Sequence, residues 1–183
     1  MKRQVFIIDT SAILSGKPLD IPQGILITTS GVSEEFSPGG RDYRAFQLLI
    51  EKGLQIQAPS KASLRRVHEC AKKTGDDQRL SAADRELLAL ALEYHGQDDC
   101  EVTILTDDYS IQNVASLLHL RFQGFSQKEI TQRFQWISSC PGCKRTFKEP
   151  VGVCPVCGTK THVIIHKKKK LTSEHHHDMN KKV

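Results

Sequence analysis

Val5-Phe6-Ile7-Ile8-Asp9-Thr10-Ser11 decides the fold. Four consecutive apolar residues are enough for a short strand buried on both faces, and the acid and two hydroxyl residues that follow end it abruptly. The same unit recurs along the chain. Ile25 to Thr29, Leu54 to Ala58 and Val102 to Thr106 are further apolar runs of strand length, each bounded by turn or capping residues. Between them lie helical patterns: Tyr43, Phe46, Leu49 and Ile50 share one face, and Leu64, Val67 and Ala71 share another. Leu87, Leu88, Ala91 and Leu92 fill a helix opened by Ser81, and a further helix is predicted from about Ser110 to Leu118. Strands alternating with helices give a parallel sheet covered on both faces, so the reading is a three-layer α/β domain over residues 1–123.

The 183 residues are 38% hydrophobic and 26% charged, globular proportions that leave room for a second, small module. No apolar run reaches the length of a membrane span, and Asp9 interrupts the N-terminal apolar stretch too early for a secretion signal; the expected compartment is the cytoplasm, with no membrane partner. The net charge of +5 is unevenly placed. Residues 1–123 hold 14 Lys and Arg against 17 Asp and Glu, whereas 124–183 hold 12 against 4. A mildly acidic body therefore carries a basic C-terminal part, which suits a polyanionic partner and equally suits a solubilising tail.

Cys140-Pro-Gly-Cys143 and Cys154-Pro-Val-Cys157 are two knuckles that aim four thiolates at one centre. Four sulfurs suit tetrahedral Zn²⁺ and leave no open position for water, so one structural zinc is predicted. Gly158 supplies the positive φ that such a turn needs, and Phe134 to Ile137 with His162 to Ile165 flank the site as strands. The modules are thus 1–123, a polar linker 124–133, a zinc ribbon 134–166 and a basic, disordered tail 167–183, with Lys167 to Lys170 assigned to the tail. Cys70 falls in a helix and Cys100 in the turn before a strand; neither is a metal ligand.

Asp9 ends the first strand at the carboxyl edge, where open α/β sheets place their binding crevice, and Asp107 ends the last clear strand in the same way. Glu34 and Glu35 are read as opening the helix after the second strand, and Asp84 as opening the helix after Ser81. Acids brought to one edge repel unless a divalent cation sits among them, and oxygen donors suit Mg²⁺ or Mn²⁺. Bland readings stand beside these. Ser81-Ala-Ala-Asp84 matches a capping box, and Glu34 or Glu35 in a first helical turn would complement the helix dipole. Asp108 is either a supporting acid or a turn residue, and Thr10, Ser11 and Thr106 either orient groups at the site or cap helices.

Four segments, Val5 to Leu14, Thr28 to Phe36, Leu80 to Ala91 and Ile104 to Tyr109, resemble in order and spacing the PIN-domain nucleases. The resemblance implies a divalent-metal-dependent endoribonuclease whose catalytic, metal-binding acids fall on Asp9, Glu35 (rather than Glu34), Asp84 and Asp107. Such a domain followed by Phe134 to Cys140 and a four-cysteine ribbon is similar to the Nin-one-binding protein family, archaeal rather than eukaryotic because no long insert interrupts it. That likeness implies cleavage of precursor small-subunit rRNA at its 3′ end, with the assembling small ribosomal subunit and its assembly factors as partners. RNA contacts are expected from Lys144, Arg145, Lys148 and Lys160 around the ribbon, with Trp136 or Phe147 available for base stacking or for the ribbon's own core. Two other functions remain in view: a toxin-type PIN ribonuclease, against which the ribbon counts, and a non-catalytic pre-ribosome-binding assembly factor.

Overall fold

The computed structural model describes residues 2–16, 24–125 and 132–170. In chain order the elements are β1 (Arg3–Ile8), α1 (Thr10–Leu14), β2 (Ile25–Thr28), α2 (Ser30–Glu34), α3 (Arg41–Glu51), β3 (Gln55–Ile56), α4 (Lys61–Thr74) and α5 (Ala82–His95). There follow β4 (Cys100–Leu105), α6 (Tyr109–Leu117), β5 (Arg121–Gln123), β6 (Gln132–Ser139), β7 (Thr146–Phe147) and β8 (His162–Lys170). Among the described residues no helix is long and apolar enough to cross a membrane.

The main sheet is parallel, in the order β3-β2-β1-β4-β5, with helices on both faces, as the alternating pattern predicts. Strands β1 and β4 occupy its centre, and their apolar residues are buried on both sides: Val5, Ile7, Ile8, Ile104 and Leu105 are essentially inaccessible. Ile8 pairs with Leu105, so both strands end at the same level and Asp9 and Asp107 leave the sheet together. Helix α5 carries the apolar bulk of the core, with every residue from Leu87 to Leu92 buried.

Several elements depart from the sequence reading. Strand β3 is only two residues long and exposed, because it lies at the sheet edge beyond β2. Strand β5 went unpredicted; Phe122 is its one buried residue, and Arg121 and Gln123 mask the apolar signal. Cys100 is buried at the start of β4 rather than in the turn before it. Glu34 and Glu35 close α2 instead of opening it, since Thr29 takes the N-cap and its hydroxyl accepts from the Val32 N–H.

The second sheet is antiparallel, in the order β7-β6-β8. Lys167 to Lys170, expected to be disordered, form the outer half of β8 and pair with β6 in the register Gln135 to Lys167 through Gln132 to Lys170. Charge-rich composition hides a strand whose backbone groups find partners across the ladder. The linker reading falls largely on 126–131, and the tail reading on 171–183 with the Glu174 to Asp178 histidine segment; both stretches lie outside the described residues.

The second sheet meets helices α4 and α6 of the α/β domain through specific contacts. Asn113 of α6, 2% exposed, accepts from the Phe134 N–H at 2.7 Å and donates to the Phe134 carbonyl at 2.9 Å. The same amide donates to Asp76 at 2.5 Å. Gly75 closes α4 with φ +79°, and a Cβ there would lie 2.5 Å from the Trp136 carbonyl oxygen, so only glycine satisfies both turn and contact.

Candidate active site and cysteine centre

Asp9 is the first residue beyond β1 and the N-cap of α1, its Oδ1 accepting from the Thr10 N–H at 2.8 Å. Its other oxygen accepts from the hydroxyls of Ser11 at 2.6 Å and Thr106 at 2.7 Å, and the carboxylate is 6% exposed. Burial raises its pKa; the Ser11 and Thr106 hydrogen bonds pull the other way, and the charge of Asp84 adds to the rise. A buried acid kept in place by three donors has a fixed direction and a poorly compensated charge.

The hydroxyls adjoining Asp9 tie it to the other acids. Thr10 donates to Glu35 Oε2 at 2.7 Å, and Ser11 Oγ accepts from the Asp107 N–H at 2.9 Å. Asp107 Oδ1 is held by the Phe125 N–H at 2.7 Å. Glu35 is exposed at the C-terminal end of α2, where the dipole offers it nothing, and Phe36 beside it is buried in a stack on Phe46 with ring centroids 4.8 Å apart. The dipole explanation for Glu35 is thereby removed.

Asp84 does form the expected capping box, accepting from the Ser81 N–H at 2.7 Å while Ser81 Oγ accepts from the Asp84 N–H at 3.1 Å. Its pKa is nevertheless raised, by burial first, against the Ser81 hydrogen bonds and with added repulsion from Asp108 and Glu35. Helix α2 reaches this point because Gly31 lets it touch α5: a Cβ on Gly31 would stand 3.0 Å from Ala83. Asp108 caps α6, accepting from the Ser110 N–H at 2.5 Å and the Ile111 N–H at 3.3 Å. It is a turn acid that also adds charge to the site.

Among the described residues none of Asp9, Glu35 and Asp84 is ion-paired with Lys, Arg or His; the salt bridges lie elsewhere, at Arg3–Asp99, Asp77 and Glu101. Nor do any three of the site's carboxylates bring oxygens within 4.8 Å of one another. Mg²⁺ keeps several of its waters and takes only one or two carboxylates directly, so acids that repel one another without close contact could still hold it. Sequence reasoning left undecided what Thr10, Ser11 and Thr106 do; all three hold acids. It missed Gln112, fully buried, whose side chain donates to the Thr106 carbonyl at 2.9 Å and fixes the end of β4, since nothing in its spacing marks it.

The four thiols of Cys140, Cys143, Cys154 and Cys157 lie within 4.8 Å of one another, with Cys140–Cys157 at 3.4 Å and Cys143–Cys154 at 3.6 Å. Sulfurs bound at about 2.3 Å around a tetrahedral ion would be about 3.8 Å apart, so the cluster is of the right size for a metal. The two knuckles repeat one hydrogen-bond scheme: Lys144 N–H to Cys140 carbonyl at 3.0 Å, Gly158 N–H to Cys154 carbonyl at 2.9 Å. Both closing residues have positive φ, +72° at Gly158 and +62° at Lys144. Hydrogen bonding with the side chain and backbone of Thr159 draws the Cys157 thiol down to about 6. Cys143 is pushed up to about 11 by desolvation and the surrounding sulfurs, in opposition to its hydrogen bond with the Arg145 backbone. Four sulfurs this close ionise together only around a cation.

Lys144, Arg145, Lys148 and Lys160 are all exposed: the first two sit on the first knuckle, Lys160 follows the second, and Lys148 lines a pocket with Gln78 and Arg79 of the α/β domain. Trp136 is half-buried under the Arg79 guanidinium, 4.4 Å from its ring centroid, and Phe147 is half-buried in β7.

A family described as "PIN domain of ribonuclease" matches residues 6–94. Among curated proteins, "Ribonuclease VapC1" of Thermoplasma acidophilum is 43% identical over 154 residues, 84% of this chain and 75% of the relative. "Endoribonuclease Nob1" of Archaeoglobus fulgidus is 34% identical over 157 residues, covering 86% and 89%, and that of Pyrococcus abyssi 38% over 162 residues, covering 86% and 92%.

Proposed function

Given that the chain belongs to the PIN-domain endoribonucleases of the Nob1 type, we propose that it is a divalent-metal-dependent endoribonuclease that trims the 3′ end of precursor small-subunit rRNA in the cytoplasm, during assembly of the small ribosomal subunit. The observation that carries the catalytic part is Asp9, a buried carboxylate fixed by three donors, without a counter-cation among the described residues and repelled by Asp84. Asp9, Glu35, Asp84 and Asp107 would hold Mg²⁺ or Mn²⁺, which supplies polarisation of the phosphodiester and an acidified water. The protein's own part is to aim the acids: Ser11 and Thr106 orient Asp9, Thr10 orients Glu35, Ser81 orients Asp84 and the Phe125 N–H orients Asp107. One Zn²⁺ in the four-thiol cluster would be structural, since four cysteines leave it no position for water.

The test is cleavage of an RNA spanning the mature 3′ end, with Mn²⁺, by the wild type and by Asp9→Asn, Glu35→Gln, Asp84→Asn and Asp107→Asn. Each is expected to lose on the order of 100-fold or more in rate, the scale on which removing one group from a catalytic site acts. Glu34→Gln, which alters a neighbouring exposed acid, is expected to cleave normally. A wild-type protein that binds this RNA and never cuts it leaves the assembly-factor reading. The toxin-type reading draws on the VapC1 relative and is weighed down by the ribbon; cleavage confined to the precursor 3′ end excludes it.

A further inference from the structure

A cleft runs between the two modules. Its wider part, of about 530 Å³, is lined by Lys72 and Lys73 at the end of α4, by Gln135 of β6 and by Lys148. Past Gln78 and Pro150 it narrows to about 200 Å³ between Trp136, Arg79 and Val163. Four cations thus flank one channel. Of the two acids there, Asp77 is already engaged by His68 at 2.7 Å and Arg85 at 3.5 Å, which leaves Glu149. Lys167 extends the positive strip, standing opposite Gln135 in the β6–β8 ladder.

We propose that this cleft binds a single-stranded segment of the RNA beside the cut, its phosphates along Lys72, Lys73 and Lys148 and one base in the narrow end stacked on the Arg79 guanidinium, which lies 4.4 Å over the Trp136 ring and couples the base to it. The proposal rests on the nuclease reading above. Charge selects a polyanion, and the narrow end, apolar on one side and capped by Arg79, offers a surface for an unstacked ring rather than for a base pair, whose faces are already covered. The position favours the substrate over an unrelated ligand. Gln78 and Arg79 lie on the loop that runs into Ser81, the cap that holds Asp84. Asn113 bonds both to Asp76 on that loop and to Phe134 of the ribbon, so the cleft is held in register with the acids.

Trp136 is the sole tryptophan, which makes its fluorescence a local reporter. The full-length protein, with its zinc retained and no Mg²⁺ or Mn²⁺ added, is titrated with a single-stranded oligoribonucleotide of about six nucleotides. An abasic ribose-phosphate oligomer of the same length and a fully paired RNA serve as comparisons. The single strand is expected to change the Trp136 emission saturably, and the other two are not. Lys72→Ala, Lys73→Ala and Lys148→Ala combined, which leave the thermal melt in place, are expected to weaken binding by about tenfold or more at low salt and to flatten its salt dependence. The proposal is overturned if emission stays constant while filter binding shows the single strand bound, if the triple variant binds like its parent, or if paired RNA gives the same signal. Cleavage with Mn²⁺ is scored separately: cutting with a silent Trp136 sinks the cleft alone, and an occupied cleft without cutting sinks the nuclease reading alone.

Discussion

Ser11 is joined to Asp9 by a hydrogen bond of 2.6 Å while its oxygen accepts from the Asp107 N–H at 2.9 Å, so a single hydroxyl spans the ends of the two central strands. Ser11→Ala removes both contacts without touching an acid. Cleavage is expected to fall about 10- to 100-fold, as for lost supports of metal ligands, with a higher Mn²⁺ concentration for half-maximal rate. Ser11→Thr, which keeps the hydroxyl, is expected to recover much of it. Equal Mn²⁺ dependence in Ser11→Ala and wild type would show that the hydroxyl does not position the site.

Asp9 has a raised pKa in the folded protein, so between the ordinary carboxylate range and that raised value the folded state holds the extra proton. Metal-free stability contributed by this group therefore declines as pH rises through that window and is flat above it. Asp9→Asn has no such titration. Urea melts in chelator-treated buffer are expected to show the variant gaining on the wild type as pH rises, and added Mg²⁺ is expected to narrow the gap by stabilising the wild type alone. A pH-independent difference would contradict the burial argument.

Cys140→Ser or Cys157→Ser is expected to release one zinc per chain and unfold the ribbon around β7 and the knuckles, because metal binding supplies on the order of 10 kcal/mol to so small a module. The α/β core, with its own buried sheet, is expected to melt as before. Metal analysis and a two-step melt check this; a single transition shifted as a whole would mean that the Asn113–Phe134 contact couples the modules fully.

Gly75→Ala forces a side chain against the Trp136 carbonyl and into a left-handed conformation. A loss of about 1–2 kcal/mol from the backbone conformation alone is expected, more if the β6 contact opens, measured as a lowered denaturant midpoint.

The α/β layering and the positions of Asp9 and Asp107 were legible because buried parallel strands are continuous apolar runs and these two acids stand where such runs stop, whereas Asp84 was legible from its capping-box spacing after Ser81. The cysteine centre was legible from spacing alone. Glu35 was named but placed on the wrong end of its helix, since a five-residue helix offers too few turns to show its direction of capping. Lys167 to Lys170 were misread because strand pairing there depends on a partner about thirty-five residues earlier, which local composition does not reveal. The Asn113–Phe134 and Gly75–Trp136 contacts were invisible for the same reason: each depends on distant residues becoming neighbours.

Ile8 pairs with Leu105 at the middle of the sheet, and that one pairing sets the separation of Asp9 from Asp107 whatever the chain does between them. The loop between α3 and β3, which enters the sheet at the edge opposite the acids, can lengthen or shorten over evolutionary time without moving either acid. The chemistry is thereby insulated from changes in target choice, and a lineage can re-aim such a nuclease at a new RNA by altering its periphery while the cutting centre stays as it was.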